Sequence, residues 1–466
     1  MRNCIVSIFW GMLLFCSCSD WLDVKPKTTV EENDIFSREL GFKEALTGIY
    51  IKMASTDLYA RNLSYGFLDI LGQRYENDEL FYSGELFYTF PSTKTESYTE
   101  KIWGEMYNVI ANVNNLLYYC DKNRQVFTTE HYYEIIKGEV LGLRAFLHFD
   151  LLRMYGPIYK DHPTAKRIAY RTKFDNEPKE MQASNVVVDS IIADLKKAEI
   201  LLRDTDPLYF EFPVTDESEM MSDKDAFLVY RHKRMNLYAV KALLARVYLY
   251  AGNKSEAENY ANQVIESDYF ELVGEASDIL RSKEIVFSVY VDKFDQQVEE
   301  ITNNTFYSIM NKSFLNEMFD VANDGMNDVR VREGVAFDYA SNGRSTMRKY
   351  KQENLWVSTK GTVVLIRLSE MYYVLAECAK TPEEAAVFLN KVREIRGIDY
   401  VVCTESNLLN EIEKEYRKEF YGEGQLFFFY KRHGYPTFLH CPVNNMVENN
   451  YMFSWPDNES LFGKTN

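Results

Sequence analysis

The 466-residue chain is short of several things, and each shortage closes off a class of protein. It holds only 21 Gly and 11 Pro, too few for a collagen-like, linker-rich or broadly disordered chain. No stretch is apolar without interruption for the roughly 20 residues that a helix needs to cross a bilayer. Basic charge is scarce: 53 Lys plus Arg face 70 Asp plus Glu, a net charge of −17, and no basic block occurs. Nucleic acid and anionic membrane surfaces require clustered cations that displace counterions, so neither is expected as a partner. The seven cysteines lack metal-type spacing, which argues against a zinc site and, in so long a chain, against a disulfide framework.

Catalytic motifs are missing as well. There is no Gly-x-Ser-x-Gly elbow, no P-loop and no Gly-x-Gly-x-x-Gly, so the usual nucleophile and phosphate cradles are absent. The six histidines include no His-Glu-x-x-His and no pair one helical turn apart. Asn323-Asp324-Gly325 reads as a turn, because the alternating ligands and distal Glu of a calcium loop are not there. Carboxylates are too numerous for any apparent acid/base pair to carry information. The expectation is no enzyme, no cofactor and no metal.

What is present is 46% apolar residues, 26% charged residues and a wealth of aromatics: 5 Trp, 34 Tyr and 30 Phe. A chain of this kind can bury a large core. Its first 17 residues read as an export signal, with Arg2, an apolar run from Ile5 to Phe15, and then Cys16-Ser17-Cys18. Cleavage before a lipid-bearing cysteine requires a small preceding residue. Ser17 supplies it for Cys18, whereas Phe15 is bulky before Cys16. Cys18 is therefore the expected lipid anchor; an ordinary secretory signal with incidental cysteines is the alternative. Residues 18–466 are then one domain held to a membrane through lipid alone.

Helical periodicity organises the body into pairs. Tyr238, Ala242, Ala245 and Leu249 share one helix face, Gly252-Asn253 stops the helix, and Ala257, Ala261 and Val264 line a second. Small residues at facing positions let two helices approach closely, and the pair 236–267 has the length of a tetratricopeptide unit. Similar pairs are expected at 365–380 with 383–396, where Pro382 suits a first turn, and at 134–155 with 185–203. Single helices are expected over 101–119 and 406–421. Between them, 56–100 and 270–360 carry scattered aromatics, Asn, Asp and Gly, with a β-like run at 285–290. Long irregular segments of this sort usually carry function. The fold class is all-α: helix pairs forming a scaffold, with long loops and minor β segments.

The stretch Cys18-Ser19-Asp20-Trp21-Leu22-Asp23-Val24-Lys25-Pro26 resembles the start of the SusD/RagB family of surface lipoproteins, and the likeness recurs in register along the chain. Trp103, Tyr107, Ile110 and Asn114 match the family's W-x3-Y-x-x-I-x-x-x-N helix. Gly138-Glu139, Arg144-Ala145-Phe146 and Tyr155-Gly156-Pro157 follow its next signature. Further matches are Asp328-Val329-Arg330, Lys349-Tyr350, Arg367-Leu368-Ser369-Glu370, Ala376-Glu377, Asn390-Lys391-Val392-Arg393 and Glu415 to Gly424. The late signature departs from the pattern: Phe427-Phe428-Phe429-Tyr430 stands where the family usually has an aspartate. Only part of the family's final motif survives, in Ser454-Trp455-Pro456-Asp457-Asn458-Glu459.

The resemblance implies a tetratricopeptide-like fold anchored on the outer face of the outer membrane. It also implies a SusC-like TonB-dependent transporter as partner and an oligosaccharide as ligand. A peptide, as in the RagB branch, a host glycoprotein glycan, or a structural lid with little affinity of its own are the other readings. Sugar capture needs flat rings to stack on and polar groups to orient the edge. Arg74, Tyr75, Asp78, Phe81, Tyr82 and Tyr88 in the first loop region, with Phe306, Tyr307, Phe337, Tyr339 and Trp356 in the second, are the candidates. Each has packing as its alternative role. Trp103, Tyr118-Tyr119 and Tyr372-Tyr373 lie on helices and read as packing residues, and Cys378 as a small buried one. Arg144, Arg367, Glu370, Glu377, Arg393 and Arg417 lie beside apolar stripes and read as ion-pair ties between helices.

Overall fold

Helix-forming periodicity dominates the chain, and the helices that carry the scaffold follow in sequence order. They are α1 (Glu39–Met53), α2 (Phe67–Leu71), α3 (Asp78–Phe87), α4 (Glu96–Lys122), α5 (Tyr132–Tyr155), α6 (Ser184–Leu202), α7 (Leu237–Tyr250), α8 (Lys254–Ile265), α9 (Lys312–Met318), α10 (Leu368–Cys378), α11 (Pro382–Arg396), α12 (Leu408–Glu419) and α13 (Leu426–His433). The computed structural model describes residues 32–462 apart from 77, 176, 210–224, 298–310, 340–342, 344, 352, 354 and 356. The export signal and Cys18 therefore lie outside the described residues, and no described helix is long and apolar enough to cross a membrane.

Each scaffold helix packs on the next in chain order: α4 on α5, α5 on α6, α6 on α7 and α7 on α8. The stack then jumps about a hundred residues and continues with α8 on α10, α10 on α11 and α11 on α12. This is the all-α, tetratricopeptide-like array that the periodicity predicts. Small residues set its spacing. Ala242, Ala245, Ala257 and Ala261 are wholly buried, and enlarging one of them to Leu should cost about 1–3 kcal/mol by overpacking. Gly138 and Gly142 do the same for α5. A Cβ at Gly142 would lie 2.5 Å from Met235, and one at Gly138 would lie 2.7 Å from Leu202.

Caps fix where the helices begin. The Asn236 side chain accepts from Ala239 N at 2.9 Å and also donates to Val286 O at 2.8 Å, so one residue starts α7 and ties it to a strand. Asn253 caps α8, and Thr381 caps α11 with Pro382 in the first turn. Gly397, with φ at +78°, closes α11.

Among the described residues the strands form three two-stranded antiparallel pairs: β1 (Lys166–Ile168) with β2 (Gln182–Ala183), β3 (Ile285–Tyr290) with β6 (Thr362–Arg367), and β4 (Phe337–Tyr339) with β5 (Ser345–Met347). The helix expected from 365 therefore starts at Leu368, because 362–367 pairs with 285–290 instead. This ladder is how the long excursion leaves the stack after α8 and re-enters it at α10.

The first loop region also differs from expectation. Residues 56–100 contain α2, α3 and the start of α4, and Leu58, Tyr59, Ala60, Leu63 and Tyr65 are buried. Phe427 to Tyr430, which replace the usual aspartate, are buried in α13. There the Arg153 guanidinium lies 3.8 Å over the Phe428 ring.

Candidate functional site

Beneath both loop regions lies a buried ionic frame. Arg330 donates to Asp328 at 2.8 Å, to Glu415 at 2.9 Å and to Glu419 at 3.0 Å. Arg396 donates to Glu419 at 2.6 Å, to Glu284 at 2.8 Å and to Val273 O at 2.8 Å. Arg393 and Lys418 share Glu415 and Asp324, at 2.6–2.7 Å. Arg367 and Lys349 both hold Glu423. Burial pushes these carboxyls up, but Lys418, Arg330 and Arg393 outweigh it and hold Glu415 well below the ordinary range. Arg396 and its neighbours do the same for Glu419.

The six charged residues expected to tie helices are all buried or nearly so and paired. Arg144 holds Asp194 at 2.7 Å, Arg246 holds Glu370 at 2.6 Å, Arg432 holds Glu377 at 2.7 Å and Arg417 approaches Glu413 at 3.3 Å. Arg393 and Arg367 belong to the frame above. Each of these carboxylates is held by a cation.

The frame is closed by a turn. Gly422 and Gly424 have φ of +80° and +67°, conformations that favour glycine, and Asp69 of α2 accepts from Gly422 N at 2.7 Å and Gly424 N at 3.0 Å. Burial pushes the Asp69 carboxyl up, to about 7, against the pull of Arg74 and the two amides. Above this turn the two loop regions meet. The Glu76 carboxylate accepts from Asn311 N at 2.9 Å and Asn311 Nδ2 at 2.7 Å, joining the start of α3 to the start of α9.

The structure divides the expected ligand residues. Arg74, Tyr75 and Tyr88 are buried and form part of the support, not of an exposed surface. Arg74 donates to the Arg417 and Tyr416 carbonyls, Tyr75 to Tyr65 O at 2.5 Å and Tyr88 to Leu71 O at 2.6 Å. Phe337 is buried too, 5.3 Å from the Tyr421 ring. Tyr339 is half-buried, with Lys312 Nζ 5.6 Å from its ring centre and its hydroxyl 3.4 Å from Val331 O. Asp78, Phe81 and Tyr82 fall in α3, their side chains outside the described set. Phe306, Tyr307 and Trp356 lie outside the described residues.

Histidines are held singly. His148 is buried between the Arg144 carbonyl, 2.8 Å from Nδ1, and the Arg171 amide, which donates to Nε2 at 3.0 Å; burial lowers it to about 3. Among the described residues no group of three or more His, Cys, Asp or Glu stands close enough to hold a metal ion.

A concavity on the helix stack was missed by the sequence. It has a volume of about 760 Å³ and lies between the end of α4, the outer face of α5 and α6, and the segment 171–175. Tyr118 and Phe174 stand at it, 56% and 51% exposed. Reading Tyr118 as a packing residue was wrong, and spacing could have shown it. Adjacent helical residues point about 100° apart, and Tyr119 takes the core side.

Comparison with known proteins places this architecture. Residues 20–212 match a family described as "Starch-binding associating with outer membrane", and residues 340–458 match one described as the SusD family. A SusD-like protein of Bacteroides ovatus is 23% identical over 296 residues, 61% of this chain. The chain spans about half of that relative's length, 48%. A SusD superfamily protein of Bacteroides thetaiotaomicron superposes with a TM-score of 0.69 at 19% identity, covering 91% of this chain and 98% of that one. A SusD-like carbohydrate binding protein of Bacteroides vulgatus gives 0.68 at 18%, with 91% and 96% covered.

Proposed function

The chain belongs to the SusD/RagB family, and from that premise we propose a cell-surface lipoprotein that captures oligosaccharide. It hands the sugar uncleaved to a SusC-like TonB-dependent transporter of the outer membrane. The ligand face is the surface where the two loop regions meet, with Asp78, Phe81, Tyr82, Tyr307, Tyr339 and Trp356 as contact residues. Arg74, Tyr75 and Tyr88 hold its floor from beneath. The observation that carries the reading is the Glu76–Asn311 junction: segments more than 200 residues apart are brought side by side over a rigid ionic base. A preformed base lowers the entropy cost of ordering a ligand over it, and a sugar chain offers both C–H faces for rings and hydroxyls for polar groups. Several stacking contacts at about 1 kcal/mol each are needed for micromolar affinity, roughly −8 kcal/mol.

Calorimetric titration of the purified full chain against neutral oligosaccharides and peptides tests this. Micromolar binding of a glycan, weakened by Tyr82→Ala with Tyr339→Ala, is the expected result. Binding of peptides alone would move the chain to peptide capture, silence across the panel would favour a structural lid, and product release at enzymatic rates would end the binding-only reading. For the anchor, Cys18→Ala should release the protein from membranes.

A further inference from the structure

We propose that the concavity bounded by α4, α5, α6 and residues 171–175 is a second saccharide site, selective for an anionic oligosaccharide. It shares no residue with the loop face. Its volume, about 760 Å³, lies within the range of about 300–1,000 Å³ typical of small-molecule sites. Two aromatic rings stand at it more than half exposed, in a chain whose aromatic residues are mostly buried. Such rings offer flat apolar faces for the C–H faces of sugar rings.

The walls are built before any ligand arrives. Arg144, at the base, is fixed by Asp194 through two bonds of 2.7 and 2.9 Å and donates to Asn114 Oδ1 at 3.1 Å. The Asn114 amide in turn donates to Arg171 O at 3.0 Å, pinning the segment that carries Phe174. Arg171 closes that segment on itself through Asp175, at 2.8 Å. A preformed wall keeps the entropy cost of binding low.

Charge decides the class of ligand. The two carboxylates at the concavity, Asp121 and Asp175, are each taken up by a cation, Lys137 and Arg171. Arg144 is neutralised by Asp194. Lys173 and Lys197 remain, both exposed and both without an acidic partner among the described residues. The concavity is thus locally positive on a chain whose net charge is −17. A locally positive, ring-lined concavity on a strongly negative body is a place where an anion can be drawn in. Ring faces for Tyr118 and Phe174 together with carboxylate or sulfate groups for Lys173 and Lys197 describe a uronic-acid or sulfated oligosaccharide. It could be a nutrient fragment from outside or the cell's own anionic surface polysaccharide.

The test is titration of the full chain with tetragalacturonate, a sulfated chondroitin tetrasaccharide, the core oligosaccharide of lipopolysaccharide, cellotetraose and hexaglutamate. Tetragalacturonate or the sulfated tetrasaccharide should bind at least tenfold tighter than cellotetraose. That preference should shrink as salt rises, since exposed charge pairs are screened. Phe174→Ala and Tyr118→Ala should each weaken acidic-sugar binding roughly tenfold, and Lys173→Gln and Lys197→Gln about two- to fivefold each. All four side chains are exposed, so unchanged thermal unfolding is expected to accompany the losses. Binding of the core oligosaccharide alone would assign the site to surface polysaccharide, and binding of the other two alone to nutrient. Cellotetraose binding that Phe174→Ala weakens as much as it weakens acidic-sugar binding, hexaglutamate binding equal to that of the acidic sugars, indifference to all four substitutions, or no binding of any acidic sugar would overturn the proposal, whereas cellotetraose binding that Phe174→Ala and Tyr118→Ala leave unchanged belongs to the loop face.

Discussion

Around Glu419 and beside Tyr118 the molecule uses the same residue types, arginine, lysine, carboxylate and tyrosine, to opposite ends. In the frame every cation is buried against one or more acids, and Arg330, Arg396 and Arg393 each serve two partners or more. At the concavity the paired charges only hold the walls, while two lysines and two rings are left facing water. Residue type therefore says little about role here. Whether a charge has been desolvated and paired says far more, because a buried unpaired charge is ruinous and an exposed one costs nothing.

The comparison can be broken most severely at Arg396. Arg396→Met takes from Glu284 its closest cation and leaves Glu419 to Arg330, and should cost about 3–5 kcal/mol of stability in a denaturant titration. Lys197→Met should stay within about 0.5 kcal/mol of the parent. If the two substitutions cost the same, frame and concavity are not distinct environments.

Acidity probes the same contrast without mutation. Glu415, Glu419 and Glu423 have carboxyls lowered in the folded state. Their contribution is complete above the ordinary carboxylate range and is lost as pH falls below about 4.5. Asp69 runs the other way: raised to about 7, its contribution is complete below the ordinary aspartate range and is lost as pH rises from there to about 7. The melting temperature should therefore fall steeply in acid and decline gently as pH rises toward 7. Asp69→Asn should flatten that gentle slope, whatever it does to the absolute value.

At the loop face, Tyr339→Ala should weaken glycan binding by roughly tenfold and cost less stability than Arg396→Met. The smallest effect is expected at an exposed pair, His162 with Glu448, 2.8 Å apart. The hydrogen bond that the ring donates to that carboxylate raises the histidine, so the pair's contribution is present below the usual histidine range and lost as pH rises past the raised value. Glu448→Gln should return the NMR titration of His162 toward its ordinary midpoint and leave the melting temperature unmoved.

Much of the scaffold is legible in the sequence because helix faces and caps are local signals. Ala242 with Ala245, the Asn253 and Thr381 caps and Pro382 announce their helices within a few residues. The charged ties at Arg144, Arg367 and Glu370 are legible for a similar reason: a charge beside an apolar stripe must find a partner. The floor of the loop face was not. Tyr75 and Tyr88 looked like exposed rings because they fall between long helices, but their segment is buried, and buried turns leave carbonyls without partners. Their hydroxyls supply those bonds, to Tyr65 O and Leu71 O. The apolar run Leu58-Tyr59-Ala60 and the cluster Phe67-Leu68 were the available warning.

The clasp between Asp69 and the Gly422–Gly424 turn also bears on the order in which the molecule can assemble. The acceptor is synthesised well before its two donors, which follow more than 350 residues later. Loop closure over such a distance is slow relative to helix pairing. The helix stack can form progressively, whereas the base of the loop face can form only once Gly422 and Gly424 are present. Arg153, paired with Gln425, and Met154, whose carbonyl takes Phe453 N, wait on the same last segment. A chain cut before residue 420 should thus keep helices and lose its ligand face, because the floor of that face waits on Gly422 and Gly424.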